Sequence, residues 1–145
     1  MTITVDASVF VAAARAQEAH NQASRRFLLQ VQAGGTDLFC PALVLPECAA
    51  AVARPTGNPA LGEELVVLIE GIPCLHLVNL DPSLARRSAQ IAARHRLRGA
   101  DACYVAVAEA LEAVLVTLDA EMLERGASVV TTMTPMQWMD EQENP

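Results

Sequence analysis

Short runs of β-branched and apolar residues alternate along this chain with segments of helix-forming composition. No other feature of the sequence constrains the fold as much. The runs are "TITV" at the N-terminus, a stretch near Leu38 to Cys40, "PCLHLVNL", "VLVTLD" and "ASVVTTM". Residues 7–31 read as helix and stop at the Gly34-Gly35 break. Pro41 and Pro46 bracket the start of the next helix, "ECAAAVAR", and Pro46 suits a first turn where a missing N–H is no loss. "PTGNP" is a turn, and "ALGEELVVLIEG" is a further helix ended by Gly71. Asp81 and Pro82 open "DPSLARRSAQIAARHRL", which Gly99 breaks, and "ADACYVAVAEALEA" follows as a separate helix. "AEMLERG" is a short helix closed by Gly126. Strands separated by helices predict an α/β fold with a mostly parallel sheet of four to five strands and helices on both faces. "VLVTL" is almost continuously apolar, as a strand buried on both faces must be. The tail from about residue 135, "PMQWMDEQENP", is expected to form a last turn of helix and then fray.

At 145 residues the chain is expected to form a single domain over 1–145. No apolar run approaches the roughly 18 residues of a membrane span, and the N-terminus has no charged, signal-like segment. A cytoplasmic location without membrane contact is the expectation. The four cysteines are scattered without C-x-x-C spacing and read as free thiols. The net charge is −7, which at first argues against a nucleic-acid partner. The distribution is uneven, however. Residues 83–98 carry five of the ten arginines and no acid, leaving five basic against 17 acidic side chains, or −12, elsewhere. All ten basic residues are arginine, so Schiff-base and P-loop chemistry are excluded, as is lysine-assisted aspartyl-phosphate chemistry. No G-x-G-x-x-G turn supports a dinucleotide fold.

Four acids then stand out by position. Asp6 follows the first strand, Glu47 lies in the first turn after the second, Asp101 opens the helix after Gly99, and Asp119 follows "VLVTL". Each has a structural explanation: the three aspartates as N-caps, Glu47 as a partner for the helix dipole. Taken together they mean more. Strand C-termini of a parallel sheet share one edge, where sites form. Carboxylates gathered there repel and take up protons unless a cation balances them. Hard oxygen ligands with no histidine or thiol among them suit Mg²⁺ or Mn²⁺ rather than zinc.

At these residues the chain resembles a known family. "VDASVF", "PECAAAV", "ADACYVAVAEA" and "VTLDAEMLE" are similar, in order and spacing, to the four blocks of PIN-domain ribonucleases, especially VapC-type toxins of toxin–antitoxin pairs. The resemblance runs from Thr2 to about Thr131 and implies a PIN-like three-layer sandwich. It also implies a catalytic and metal-holding quartet of Asp6, Glu47, Asp101 and Asp119, supported by Ser8 and Thr117. Many relatives carry a further Asp a few residues on; here Glu121 and Met122 stand in that area. The implied activity is Mg²⁺-dependent (or Mn²⁺-dependent) hydrolysis of RNA to 5′-phosphate and 3′-hydroxyl ends. The implied partners are RNA, a cognate antitoxin and a second copy of the chain. The "ALGEELVVLIEG" helix and the "FVAAA" segment are the candidate protein-binding surfaces. For RNA, Arg87, Arg94 and Arg98 are the candidates, since spacings of seven and four place them on one helical face.

Two other readings compete. In one, the domain is a non-catalytic PIN-like module whose acidic pocket receives a partner. In the other, a phosphatase or receiver-type domain uses Asp6 as nucleophile, which the absent lysine and Ser8 in place of a second Asp oppose. The three histidines (His20, His76, His95) read as structural or solvated, and Tyr104 as core rather than catalytic.

Overall fold

The computed structural model describes residues 1–145. Five strands form one sheet: β1 (Thr2–Val5), β2 (Asp37–Pro41), β3 (Leu75–Val78), β4 (Val114–Val116) and β5 (Thr132–Met133). Their spatial order is β3-β2-β1-β4-β5, and every pairing is parallel. Consecutive strand residues point to opposite faces, and Ile3, Thr4 and Val5 are all at most 1% exposed, as are Leu115 and Val116. Both faces of the central strands are therefore covered by helices. At the edge, β3 is open, with His76 and Leu77 exposed.

The chain builds outward from β1 through β2 to β3, then returns to place β4 on the other side of β1. The order reverses between β1 and β4, and in open parallel sheets such a reversal leaves a crevice beyond the strand C-termini. The helices that connect the strands frame it. They are α1 (Ala7–Ala14), α2 (Asn21–Ala33), α3 (Val44–Thr56), α4 (Pro59–Glu70), α5 (Pro82–His95), α6 (Gly99–Ala110), α7 (Ala120–Arg125) and α8 (Pro135–Glu143). α6 packs on β1, β2 and β4, with α5 against it, while α3 and α4 form a hairpin. That hairpin closes tightly because Gly62 has no side chain: a Cβ there would lie 2.7 Å from the Ala49 carbonyl oxygen.

Several elements differ from the sequence expectation. Residues 7–31 are not one helix. α1 ends at Arg15, which is extended, and the buried Asn21 side chain donates to the Ala12 and Ala13 carbonyls at 2.8 and 3.1 Å. That side chain satisfies the C-terminal carbonyls of α1 and lets the chain turn into α2. α3 runs on through Pro55 to Thr56 and stops at Gly57, whose φ of 64° is the left-handed conformation glycine adopts freely. α5 stops before Gly99: it ends at His95, and Arg96 takes the left-handed conformation, φ 53°. Gly99 begins α6 instead. The strand expected from "ASVVTTM" is reduced to Thr132–Met133, because Gly126–Ser128 continues α7 as a turn of 3-10 helix. The tail is a nine-residue helix. Thr134 and Gln137 cap it reciprocally, Pro135 sits at its start, and Trp138 packs edge-on against Phe27 with ring centroids 5.2 Å apart.

Candidate active site

β1 delivers Asp6 to the crevice, and the start of α1 makes it an N-cap. Its backbone N–H bonds the Val116 carbonyl at 3.0 Å, tying the end of β1 to β4. Its carboxylate is 5% exposed, and one oxygen, Oδ2, takes every donor offered. Ser8 Oγ donates at 2.6 Å, Thr117 Oγ1 at 2.9 Å and the Ser8 N–H at 3.4 Å. Oδ1 accepts no hydrogen bond from the protein. The two hydroxyls do further work. Ser8 Oγ accepts from the Leu118 N–H at 3.1 Å, and Thr117 Oγ1 accepts from the Asp119 N–H at 3.0 Å. Ser8 and Thr117 thus join the N-terminal strand to the turn that carries Asp119.

Asp119 caps α7, its Oδ1 accepting from the Met122 N–H at 2.9 Å. Asp101 is no cap, contrary to one explanation open at the level of sequence. Arg98 holds the N-cap position of α6, and Asp101 is the third residue of the helix, half-buried and without a hydrogen-bonded partner. Glu47 lies in the first turn of α3, and its Oε1 accepts from the Tyr104 hydroxyl at 2.6 Å.

Three of these side chains, Asp6, Glu47 and Asp101, are shifted by burial and by the charge of others in the group. Burial pushes the Asp101 carboxyl up from its ordinary 3.8 to about 6, and the charges of Asp6, Asp119 and Glu47 add to the rise while Arg98 opposes it. Burial also raises Asp6; the hydrogen bonds from Ser8 and Thr117 oppose the rise and Asp119 reinforces it. Glu47 is raised by burial, against the Tyr104 hydrogen bond and with a contribution from Asp6. Cys48, on the same helix as Glu47, is pushed up to about 12 by burial first and then by Asp6 and Glu47, so it stays a neutral thiol. No basic side chain forms a salt bridge with any of the four.

In this conformation no three His, Cys, Asp or Glu side chains are gathered tightly enough to hold a metal ion. The fit of the site to a hard divalent cation rests on its chemistry. The four carboxylates come from separate segments and none has a salt-bridge partner; Asp6, Glu47 and Asp101 have raised proton affinity, and one Asp6 oxygen is left without a donor.

A cavity of about 350 Å³ is lined by two of these carboxylates, Asp6 and Glu47, with Ser8, Glu18, His20 and Leu118 among others; Asp101 and Asp119 do not line it. His20, read from sequence as structural or solvated, stands at the start of α2 on this wall. Tyr104 is core, as expected, yet it also holds Glu47. The sequence offers one faint signal for that role: it is the chain's single tyrosine, three residues after Asp101.

The arginines divide. Arg87 is committed to Glu109 of α6, with Nε and Nη2 donating to its two carboxylate oxygens at 2.7 Å each. Arg98 lies beyond the end of α5, so the expected single helical face of Arg87, Arg94 and Arg98 does not form. Arg94 and Arg98 are exposed and free of carboxylate partners, and Arg98 is the one whose charge reaches Asp101.

Similar architecture occurs in solved proteins. VapC20 of Mycobacterium tuberculosis, a sarcin-ricin loop cleaving toxin, superposes with a TM-score of 0.74 at 17% identity, over 92% of this chain and 99% of that one. FitAcB from Neisseria gonorrhoeae gives 0.67 at 21% identity, over 94% and 99%. VapBC2 from Rickettsia felis, bound to a DNA fragment from their promoter, gives 0.69 at 12% identity, over 92% and 98%. No curated protein matches the sequence itself. The PIN domain family model matches residues 3–127, the span that contains both ends of the crevice and all four carboxylates, and the chain belongs to the PIN domain family.

Proposed function

We propose that this PIN domain is a metal-dependent endoribonuclease of the VapC toxin type, neutralised by a cognate antitoxin. The observation that carries the reading is the group of four acids without a salt-bridge partner near the topological switch point, each from a different segment of the chain. Asp6, Glu47, Asp101 and Asp119 would hold Mg²⁺, or Mn²⁺ in its place. When bound, such an ion stabilises the negative charge that builds on a phosphodiester and makes water a nucleophile near neutral pH. Ser8 and Thr117 hold Asp6 Oδ2, which leaves Oδ1 available. Water adds to phosphorus and the 3′-oxygen leaves, giving 5′-phosphate and 3′-hydroxyl ends. Arg94 and Arg98 offer the free positive charge for the RNA backbone beside an otherwise acidic cleft.

An antitoxin has a suitable seat. A groove of about 190 Å³ is lined only by apolar side chains, from α1, α2, α4 and the turn after α4, with Phe10, Leu28, Leu65 and Ile72 among them. Leu68 of this lining and its neighbour Val67 are each 69% exposed. An apolar helix of a partner would cover this surface, and a second copy of the chain is the other proposed neighbour. No helix of the chain is long and apolar enough to cross a membrane.

The test is cleavage of a structured RNA by purified protein. Cleavage with Mg²⁺ or Mn²⁺ that stops in EDTA, with 5′-phosphate and 3′-hydroxyl products, is the expected result. Undiminished cleavage in excess EDTA by nuclease-free preparations overturns it.

A further inference from the structure

We infer that Tyr104 is a positioning residue for Glu47, its buried hydroxyl fixing one oxygen of the carboxylate so that the other is held at a set place relative to Asp101. The inference rests on the metal-dependent reading above and adds a residue to it.

Tyr104 is 0% exposed, inside an unbroken buried stretch of α6 from Ala102 to Ala108. A phenol buried this deeply needs a partner for its O–H. The partner it finds is no backbone carbonyl but a half-buried carboxylate 57 residues away on α3, at 2.6 Å. Phenylalanine would fill the same space without that requirement. Asp101 and Tyr104 are three residues apart on α6, and side chains at that spacing lie on one face. One rigid, buried helix therefore carries one acid of the quartet and grips a second. Glu47 would otherwise be free about several side-chain bonds, unlike Asp6, which Ser8 and Thr117 already fix. With Oε1 taken by the hydroxyl, Glu47 has one oxygen left to offer, beside Asp6 in the cavity wall.

The test measures Mn²⁺ binding by calorimetry and by electron paramagnetic resonance, on wild type, Tyr104→Phe, Glu47→Gln and the double variant. Losing an outer partner of a metal-holding side chain weakens metal affinity by about 10-fold. Tyr104→Phe is expected to show that loss in the wild-type background and no further loss on top of Glu47→Gln. A merely structural role would lower the melting temperature equally in both backgrounds and leave Mn²⁺ affinity unmoved. Unchanged affinity in Tyr104→Phe, or an equal loss in both backgrounds, overturns the inference. Asp101→Asn separates this failure from that of the underlying reading. If it leaves wild-type Mn²⁺ binding intact, the metal site itself is wrong and the inference falls with it. Should Tyr104→Phe not fold, the wild type supplies the answer, because it has one tyrosine. Its ring ¹³Cζ resonance is expected to move on Mg²⁺ addition with the midpoint of binding, and to stay still in Glu47→Gln. A resonance unmoved by saturating Mg²⁺ in the wild type overturns the proposal.

Discussion

Asp6 and Asp101 repel each other across one crevice and are held in opposite ways. Asp6 ends a strand, caps a helix and gives one oxygen to three donors. Asp101 sits inside a first helical turn whose N-cap position Arg98 holds without a capping side-chain bond, and Asp101 has no donor at all. The strand-end acid is therefore a structural joint as well as a candidate ligand, since its partners Ser8 and Thr117 also bind the backbone at Leu118 and Asp119. The helix-borne acid contributes nothing comparable to the fold. In a metal-free protein it is a liability, which its pKa near 6 records. Carboxylates of one site can thus be told apart by what their removal does to stability.

The largest expected effect follows directly. Asp6→Asn and Asp101→Asn should each lower RNA cleavage by about 100-fold or more, because each removes charge from the quartet. Stability should separate the two positions. Asp6→Ala leaves the Ser8 and Thr117 hydroxyls without the acceptor they share and should cost about 1–3 kcal/mol, read by urea unfolding without metal. Asp101→Asn removes buried repulsion and should melt at or above the wild-type temperature. Equal destabilisation by both would erase the distinction.

A smaller effect concerns pH. The Asp101 carboxyl titrates near 3.8 when unfolded and near 6 when folded, so folding takes up a proton between those values. Its contribution leaves stability untouched below about pH 4, lowers it as pH rises to about 6, and keeps it lowered above. Asp6 and Glu47, also raised, act in the same direction. The melting advantage of Asp101→Asn over wild type should therefore be absent near pH 4 and fully developed by pH 7, in EDTA. An advantage that does not change with pH would mean the gain has another origin.

The smallest expected effect separates the arginines. Arg98→Gln and Arg94→Gln should each reduce the salt dependence of RNA binding by about one unit of slope, measured with Ca²⁺ to block turnover. Arg87→Gln should instead loosen α5 from α6, lowering the melting temperature with little change of slope, since its charge is already spent on Glu109. A loss of slope in Arg87→Gln would return that residue to the RNA-binding surface.

Much of this was legible from residue order. An apolar run followed by Asp, twice, is readable because strand ends in a parallel sheet converge; Asp6 follows β1 directly, while β4 stops at Val116 and Thr117 and Leu118 lead on to Asp119. The α/β alternation carried the sheet for the same reason. What escaped were features decided by a distant partner. Tyr104 finds Glu47 across 57 residues, and Glu109 captures Arg87 across 22, so neither contact leaves a local pattern. The division of residues 7–31 depends on Asn21 reaching back to the end of α1, and an asparagine alone does not announce that. Gly99 looked like the helix breaker because glycine usually is one; here Arg96 adopts the left-handed turn and Gly99 starts the next helix. The tail folds because Trp138 meets Phe27, which precedes it by more than a hundred residues.

The pairing of β1 with β4 also sets when the cleft can exist. Thr117 donates to an acid 111 positions earlier, and the Asp6 N–H bonds the Val116 carbonyl. The ends of this contact are among the most widely separated in the molecule, and the chain entropy of bringing them together is met late in folding. During synthesis, a chain that has emerged only as far as α6 holds Asp6, Glu47 and Asp101, with Ser8 on the first, but neither Thr117, the second hydroxyl on Asp6, nor Asp119. The site is completed by nearly the last strand to leave the ribosome. Under the proposed reading, an enzyme hostile to cellular RNA would stay inert on the machinery that makes it, and would acquire its cleft at about the time its antitoxin-binding groove, built from earlier helices, is already formed.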